Sequence, residues 1–207
     1  MEILHWGWTR PCNRHPYHWI ATAPGELLET TTAEMLSESF PTTAFVRVQA
    51  GPDSAKDYRN YSRPLTTPDG RLACMEGLSP SWRLLTEELC SLHYRRAVAE
   101  ILGQASIAKH VELRLVQHGV SDFLGPHTDR SDKLFSHIVY FNPGWNAQWG
   151  GDFEVLDAQF RVLARIQPEC GASVLLGRSS SSWHRVVPVR EAAARERRSL
   201  VVHGLRS

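Results

Sequence analysis

The sequence has no apolar run approaching the roughly 20 residues that a membrane-crossing helix needs, no block of like charges and no Cys-x-x-Cys pair. The first absence argues against a helical membrane anchor, and the second against a polybasic arm or an acidic tail. The four cysteines, Cys12, Cys74, Cys90 and Cys170, show no Cys-x-x-Cys spacing. They predict reduced, structural thiols in a cytoplasmic protein. A formal net charge of +1 over 207 residues leaves no basic footprint for nucleic acid. The opening residues, MEILHWGWTRPCNRHPYHW, hold no apolar stretch with a cleavage site, and so predict no secretion signal.

What is present concentrates in the second half. His127-Thr128-Asp129 is followed 55 residues after Asp129 by His184. In extended chain, residues two apart point to the same side. His127 and Asp129 therefore converge while Thr128 points away. His184 follows Gly171-Ala-Ser-Val-Leu-Leu-Gly177, a short apolar run between glycines that reads as a buried strand. Residues 178–183 form the turn that delivers it. Two imidazoles and a carboxylate occupy one face of an octahedral metal and leave three positions open, as in non-haem Fe(II) oxygenases. The same set also suits zinc.

Thirteen residues past His184 begins Arg197-Arg-Ser-Leu-Val-Val-His203. Alternation puts Arg197, Ser199, Val201 and His203 on one face, and Arg198, Leu200 and Val202 on the other. An inward arginine beside a serine suits a small dicarboxylate, because a guanidinium grips a carboxylate with two prongs.

These residues resemble the Fe(II)/2-oxoglutarate-dependent dioxygenases, in particular the prolyl-hydroxylase-like branch. Gln117-His118-Gly119 and Phe123-Leu-Gly-Pro-His-Thr-Asp129 are similar to the family's strand and loop into its H-x-D. Val139–Trp145, Gln148–Phe153 with its Gly150-Gly151 turn, Trp183–Val186 and Arg197-x-Ser199 follow in the family's order. The resemblance covers roughly residues 110–205. It implies Fe(II) on His127, Asp129 and His184, with 2-oxoglutarate and O2 as cosubstrates. Arg197 and Ser199, with Tyr140 and Gln117, would bind the far carboxylate of 2-oxoglutarate. Tyr140 reads equally well as a core tyrosine. Many members have Tyr in place of Gln117 and Trp in place of His203. Asp129 argues against the halogenase variant, which vacates that position.

The fold expected is mainly β with flanking helices. It is a double-stranded β-helix, or jelly roll, with the helices packed on one outer face. Residues 1–207 are expected to form one domain, with 1–105 an N-terminal arm, loop and helical flank and 106–207 the core. Residues 1–25, rich in Trp, His and Pro, read as an irregular packing arm or a lid. A helix is expected over Thr32–Phe40, capped by Thr31 or Thr32, and a strand over Ala44–Gln49. Residues 51–77 read as a long loop. A helix begins behind a Ser cap near Ser79, with Trp82, Leu85, Leu89 and Leu92 at core spacing. Another runs from about Tyr94 to Leu102 and stops at Gly103.

The activity implied is hydroxylation of an unactivated C–H bond in a small molecule, such as a free amino acid or a natural-product intermediate. A peptide or protein residue is the runner-up substrate. A cupin-like zinc or manganese hydrolase or isomerase, and a binding module with a decayed site, are the readings from other classes. Trp183, Arg59, Arg63 and Arg47 are candidate substrate contacts. Oligomeric state is not encoded in any of these features.

Overall fold

In the computed structural model, residues 3–5, 11–54 and 56–206 are described. The elements in chain order are β1 (Trp19–Thr22), α1 (Thr30–Glu38), β2 (Val46–Ala50), β3 (Tyr58–Pro64), α2 (Pro80–Cys90), α3 (Leu92–Ile101), β4 (His110–His118), β5 (Phe123–His127) and β6 (Lys133–Tyr140). Then follow β7 (Phe153–Leu156), β8 (Val162–Ile166), β9 (Ser173–Gly177), β10 (His184–Val186) and β11 (Arg197–Leu205). The strands join in the order β1-β9-β6-β11-β4-β3-β5-β10-β7-β8, with β2 paired to β3. All pairings are antiparallel. β3 bonds to both β4 and β5, so it stitches the large sheet to the small β5-β10-β7-β8 sheet. This is the jelly roll expected, with helices on one outer face.

Alternation along the strands of the large sheet separates two cores. Leu113, Leu115, Phe135, Leu175, Leu200 and Val202 face the helices. Ile138, Tyr140, Val174 and Leu176 face into the roll, where they meet Phe153, Val155 and Val186 of the small sheet. The helical layer is centred on Trp82, which is fully buried and lies edge-on to Phe40 with ring centroids 5.5 Å apart. Its indole N–H donates to Leu36 O at 2.9 Å, so burial leaves no polar atom unpaired.

Helix α2 begins as expected. Ser79 caps it by accepting from Trp82 N, and Pro80 occupies the first turn, where its missing N–H costs nothing. Leu92 departs from the expected core row. It opens α3, which Ser91 caps, and is 45% exposed. Helix α1 starts two residues early, at Thr30, behind buried Leu27 and Leu28. Neither Thr31 nor Thr32 caps it, and Glu29 at the cap position makes no side-chain bond.

Two segments expected to be irregular hold strands. Within 51–77 lies β3, whose Tyr-Arg-Asn-Tyr-Ser-Arg-Pro sequence shows no apolar alternation. Pairing to β2, β4 and β5 holds it, with little burial of its own side chains. Within 1–25, β1 pairs with β9, and Tyr17 enters the core of the roll. Residues 1, 2, 6–10 and 55, on which those expectations also fall, lie outside the described residues. All four cysteines are free. No helix among the described residues is long and apolar enough to cross a membrane.

Candidate metal centre and cosubstrate site

β5 ends on His127 and β10 begins on His184, and the two residues are paired directly across the strands. Asp129 follows two residues beyond β5. The metal-binding atoms of the three side chains lie within 4.8 Å of one another, and all three residues are buried. His127 Nδ1 lies 2.9 Å from Gly125 O, and His184 Nδ1 lies 2.9 Å from Ser182 O. A carbonyl only accepts, so each ring proton sits on Nδ1 and each Nε2 offers its lone pair to the centre. Burial, first of all, holds both imidazoles below the ordinary histidine pKa. Phe153 stacks on His184 with centroids 5.3 Å apart and fixes its ring.

Asp129 is held from both sides. Lys133 Nζ donates to Oδ1 at 2.7 Å, Lys56 Nζ approaches the same atom at 3.4 Å, and Ser136 Oγ donates to Oδ2 at 2.7 Å. Burial works against the carboxylate, but His184, Lys133, His203 and Lys56 outweigh it and keep its pKa well below the usual range. Desolvation pushes the Lys133 ammonium down to about 8 against the pull of Asp129. His203 completes the circuit. Its Nε2 lies 3.1 Å from Lys133 Nζ and its Nδ1 lies 2.7 Å from Ser136 Oγ. An ammonium only donates, so Nε2 accepts, Nδ1 carries the proton to Ser136, and Ser136 passes its own hydrogen to Asp129. A neutral imidazole at His203 is therefore satisfied on both ring nitrogens.

The far end of the cavity is a cluster of buried donors, and the one carboxylate that acts on it from the protein, Asp152, makes no hydrogen bond to it. Arg197 is 1% exposed. Its Nε donates to Gly151 O at 2.7 Å, and its Nη1 faces Ser199 Oγ at 3.4 Å and His118 Nδ1 at 3.5 Å. A guanidinium has no acceptor, so the His118 ring proton sits on Nε2. Arg197 Nη2, His118 Nε2 and Tyr140 Oη are all buried without a hydrogen-bond partner. Burial raises the Tyr140 pKa, so its hydroxyl remains a donor. Arg197 makes no ion pair among the described residues; its guanidinium carbon sits 5.0 Å over the Tyr140 ring. A carboxylate is the group that three such donors lack. Leaving buried donors unpaired costs about 1–3 kcal/mol each. Gly151 makes the site possible: its φ is +73°, and a Cβ there would come within 3.0 Å of Arg197 Cδ.

The metal group, Arg197, Ser199 and His118 open onto one cavity of about 300 Å³, while Tyr140, whose ring the Arg197 guanidinium covers, does not line it. It is lined by Arg197, Ser199, Val201 and His203, while Arg198 points out and lies over Phe40. Gln117 does not line it. Gln117 shares the face of Val111, Leu113 and Leu115, which packs on the helices, and His118 takes the cavity position opposite Arg197. The cue was in β4 itself: the apolar side of that strand faces the helices, so the polar side, Glu112, Arg114 and His118, faces the cavity.

The candidate substrate contacts fall elsewhere. Trp183 alternates away from His184 and packs edge-on against Phe160 at 4.9 Å. Arg59 is exposed over Phe123 and donates to Ser121 O. Arg63 is 2% exposed and donates to Thr43, Cys74 and Glu76 carbonyls, tying down the chain around β3. Arg47 is paired two-pronged with buried Asp122, both contacts at 2.8 Å. Lys56, Lys133 and His118 join the site without a sequence cue of their own, while Ser136 and His203 lie on faces that alternation turns inward. Lys56, His203 and His118 act through contacts between distant segments, while Lys133 and Ser136 lie only four and seven residues past Asp129.

Residues 113–203 match the sequence model of the 2OG-Fe(II) oxygenase superfamily. This segment, which holds the metal triad and Arg197-x-Ser199, is similar to the 2OG-Fe(II) oxygenases. Oxygenases of this family use Fe(II), 2-oxoglutarate and O2, and the buried His-Asp-His group and the unpaired donor cluster fit that chemistry. Among solved structures, a prolyl-4-hydroxylase from Pseudomonas putida is 19% identical, with a TM-score of 0.61 over 91% of this chain and 92% of that one. A Trichoplax adhaerens prolyl hydroxylase, in complex with a hypoxia-inducible-factor peptide fragment, is 14% identical, with a TM-score of 0.68 over 91% and 83%. A Burkholderia pseudomallei oxidoreductase of the 2OG-Fe(II) oxygenase family is 20% identical, with a TM-score of 0.62 over 91% and 86%. No curated protein sequence matches the chain. The chain therefore shares its fold with prolyl hydroxylases.

Proposed function

We propose that residues 1–207 act as one domain, in the cytoplasm, that hydroxylates an unactivated C–H bond of a small molecule such as a free amino acid or natural-product intermediate. His127, Asp129 and His184 would hold Fe(II). Arg197, Ser199, Tyr140 and His118 would hold the far carboxylate of 2-oxoglutarate. With O2, the bound metal and 2-oxoglutarate supply oxidative decarboxylation to succinate and CO2, with one oxygen atom inserted into the substrate.

The protein's own part is placement. The Gly125 and Ser182 carbonyls turn each imidazole so that Nε2 faces inward. Ser136 and Lys133 keep Asp129 ionised and fix its plane. Arg197, Tyr140 and His118 anchor one end of a dicarboxylate and so aim its other end at the metal group. Ile138, Phe153 and Val186 line the space between and exclude water. The observation that carries this reading is the set of orphaned donors at Arg197, His118 and Tyr140, which a hydrolase or isomerase has no use for.

The cavity lies at the small end of the range for small-molecule sites, roughly 300–1,000 Å³, which favours a compact substrate. A peptide residue is the second reading, supported by the peptide bound to the Trichoplax relative. The test is titration of 2-oxoglutarate into metal-loaded protein, followed by succinate measurement across amino acids and peptides. Binding that needs Arg197 supports the assignment; a protein that ignores 2-oxoglutarate contradicts it.

A further inference from the structure

Beyond the metal group and the donor cluster, the cavity has an outer part with charges of its own. Glu112 and Arg114 reach it from the polar side of β4. Lys56 comes from the segment before β3, and Arg130 from just past Asp129. The register places Glu112 opposite His203, which bonds to Ser136 and Lys133 around Asp129. These charges therefore stand beside the proposed iron site, at the end away from Arg197.

Glu112 is only half used. Its Oε1 pairs with Arg114 Nη2 at 3.0 Å. Its Oε2 is buried and accepts no hydrogen bond, with Arg130 Nη2 3.8 Å away. Arg130 is already committed to Asp132, through Nε at 3.1 Å and Nη2 at 3.0 Å. A carboxylate oxygen out of water and without a donor calls for an N–H group. Lys56 is the reverse case. Its side chain is 25% exposed, and its acid partner, Asp129 at 3.4 Å, is the carboxylate that the metal would take. Lys56, Arg114, Arg130 and Lys133 together face Glu112, Asp129 and Asp132, which leaves one positive charge in excess.

We propose, on the footing of the iron and 2-oxoglutarate site above, that this outer part binds the zwitterionic head of a free α-amino acid, with Glu112 Oε2 accepting from its ammonium and Lys56 pairing with its carboxylate. Each pairing fills a vacancy that the protein leaves: an acceptor without a donor and a cation whose partner is claimed elsewhere. A residue within a peptide has neither a free ammonium nor a free carboxylate. It would leave Glu112 Oε2 buried and unpaired, and discrimination of that kind is steep.

The probes are the twenty common L-amino acids, each free, N-acetylated or C-amidated. They are titrated by calorimetry into protein loaded with Mn(II) and 2-oxoglutarate without O2, so that binding is read without turnover. At least one free amino acid is expected to bind, with each of its capped forms at least tenfold weaker. Glu112→Gln should remove the discrimination against the N-acetyl form, and Lys56→Met that against the amide. Glu112→Gln should not change 2-oxoglutarate affinity. The proposal is overturned if no free amino acid binds, if capped forms bind equally well, or if both variants keep the wild-type preference. Should a variant fail to fold, the capped series on the wild-type protein decides alone. Loss of 2-oxoglutarate binding in the wild type would instead remove the oxygenase assignment of the site, so the two failures are distinguishable.

Discussion

Lys133 Nζ lies 2.7 Å from Asp129 Oδ1, and both side chains are at most 5% exposed. An ammonium therefore sits on the carboxylate proposed to hold iron. Breaking a buried pair by removing one partner typically costs about 3–5 kcal/mol, because the other charge is left uncompensated. In Lys133→Met that charge is Asp129, which a divalent ion can neutralise. The metal-free variant should therefore melt well below the metal-free wild type. Addition of Mn(II) should raise its melting temperature by more than it raises that of the wild type. Thermal denaturation of both proteins with and without Mn(II) checks this, and an equal metal-induced shift would show that Lys133 does not compete for Asp129.

Stability should fall as the pH drops below about 6.5, the ordinary histidine value. His118, His127, His184 and His203 all have pKa values depressed by burial, and His137 is pushed down to about 3 by the same cause. The unfolded chain then binds more protons than the folded one in the window between the two values. The stability of neutral, buried histidine is thus full above the unfolded pKa and lost as acid is added. Each such histidine contributes about 1.4 kcal/mol per pH unit inside the window. Urea midpoints between pH 8 and pH 5 should decline steeply; a flat profile would mean that these rings are not buried neutral.

Arg197 and Arg198 are neighbours in sequence with opposite expectations. Arg197→Leu removes a buried charged donor from the proposed carboxylate site and should weaken 2-oxoglutarate binding by about thirtyfold to several thousandfold, about 2–5 kcal/mol. Arg198→Ala acts on a side chain lying over Phe40 and should leave that affinity unchanged. Calorimetric titration of 2-oxoglutarate against both variants separates them.

Arg63→Ala should destabilise the fold and leave substrate preference alone. Its guanidinium holds carbonyls of Thr43, Cys74 and Glu76 and does not touch the cavity. Loss of even one hydrogen bond to a charged group is worth roughly 1.5–3 kcal/mol. Chemical denaturation measures the loss, and a product profile altered at unchanged stability would place Arg63 in the substrate site after all.

The metal triplet and the Arg-x-Ser strand were legible in the sequence because period-2 alternation fixes which side chains share a face. The same rule misplaced Gln117, since it says which residues go together but not which side of the sheet they face. In β11 the side that carries Arg197 and Ser199 faces the cavity; in β4 the side that carries Gln117 packs on the helices, and the His118 side faces the cavity. β3 was hidden because its side chains are polar or half exposed and its stability comes from three partner strands. The contacts of Lys56, Lys133 and His203 were invisible for a related reason. Lys56 meets Asp129 across 73 positions and His203 meets Lys133 across 70, and no local pattern encodes such contacts.

The most direct test of the account is Fe(II)-dependent conversion of 2-oxoglutarate to succinate by the wild-type protein and by Asp129→Ala, each with the free amino-acid panel present. Succinate is expected from the wild type, rising when a bound amino acid is supplied, and none above background from Asp129→Ala. Equal succinate from both proteins, or none from the iron-loaded wild type with any amino acid, would contradict it.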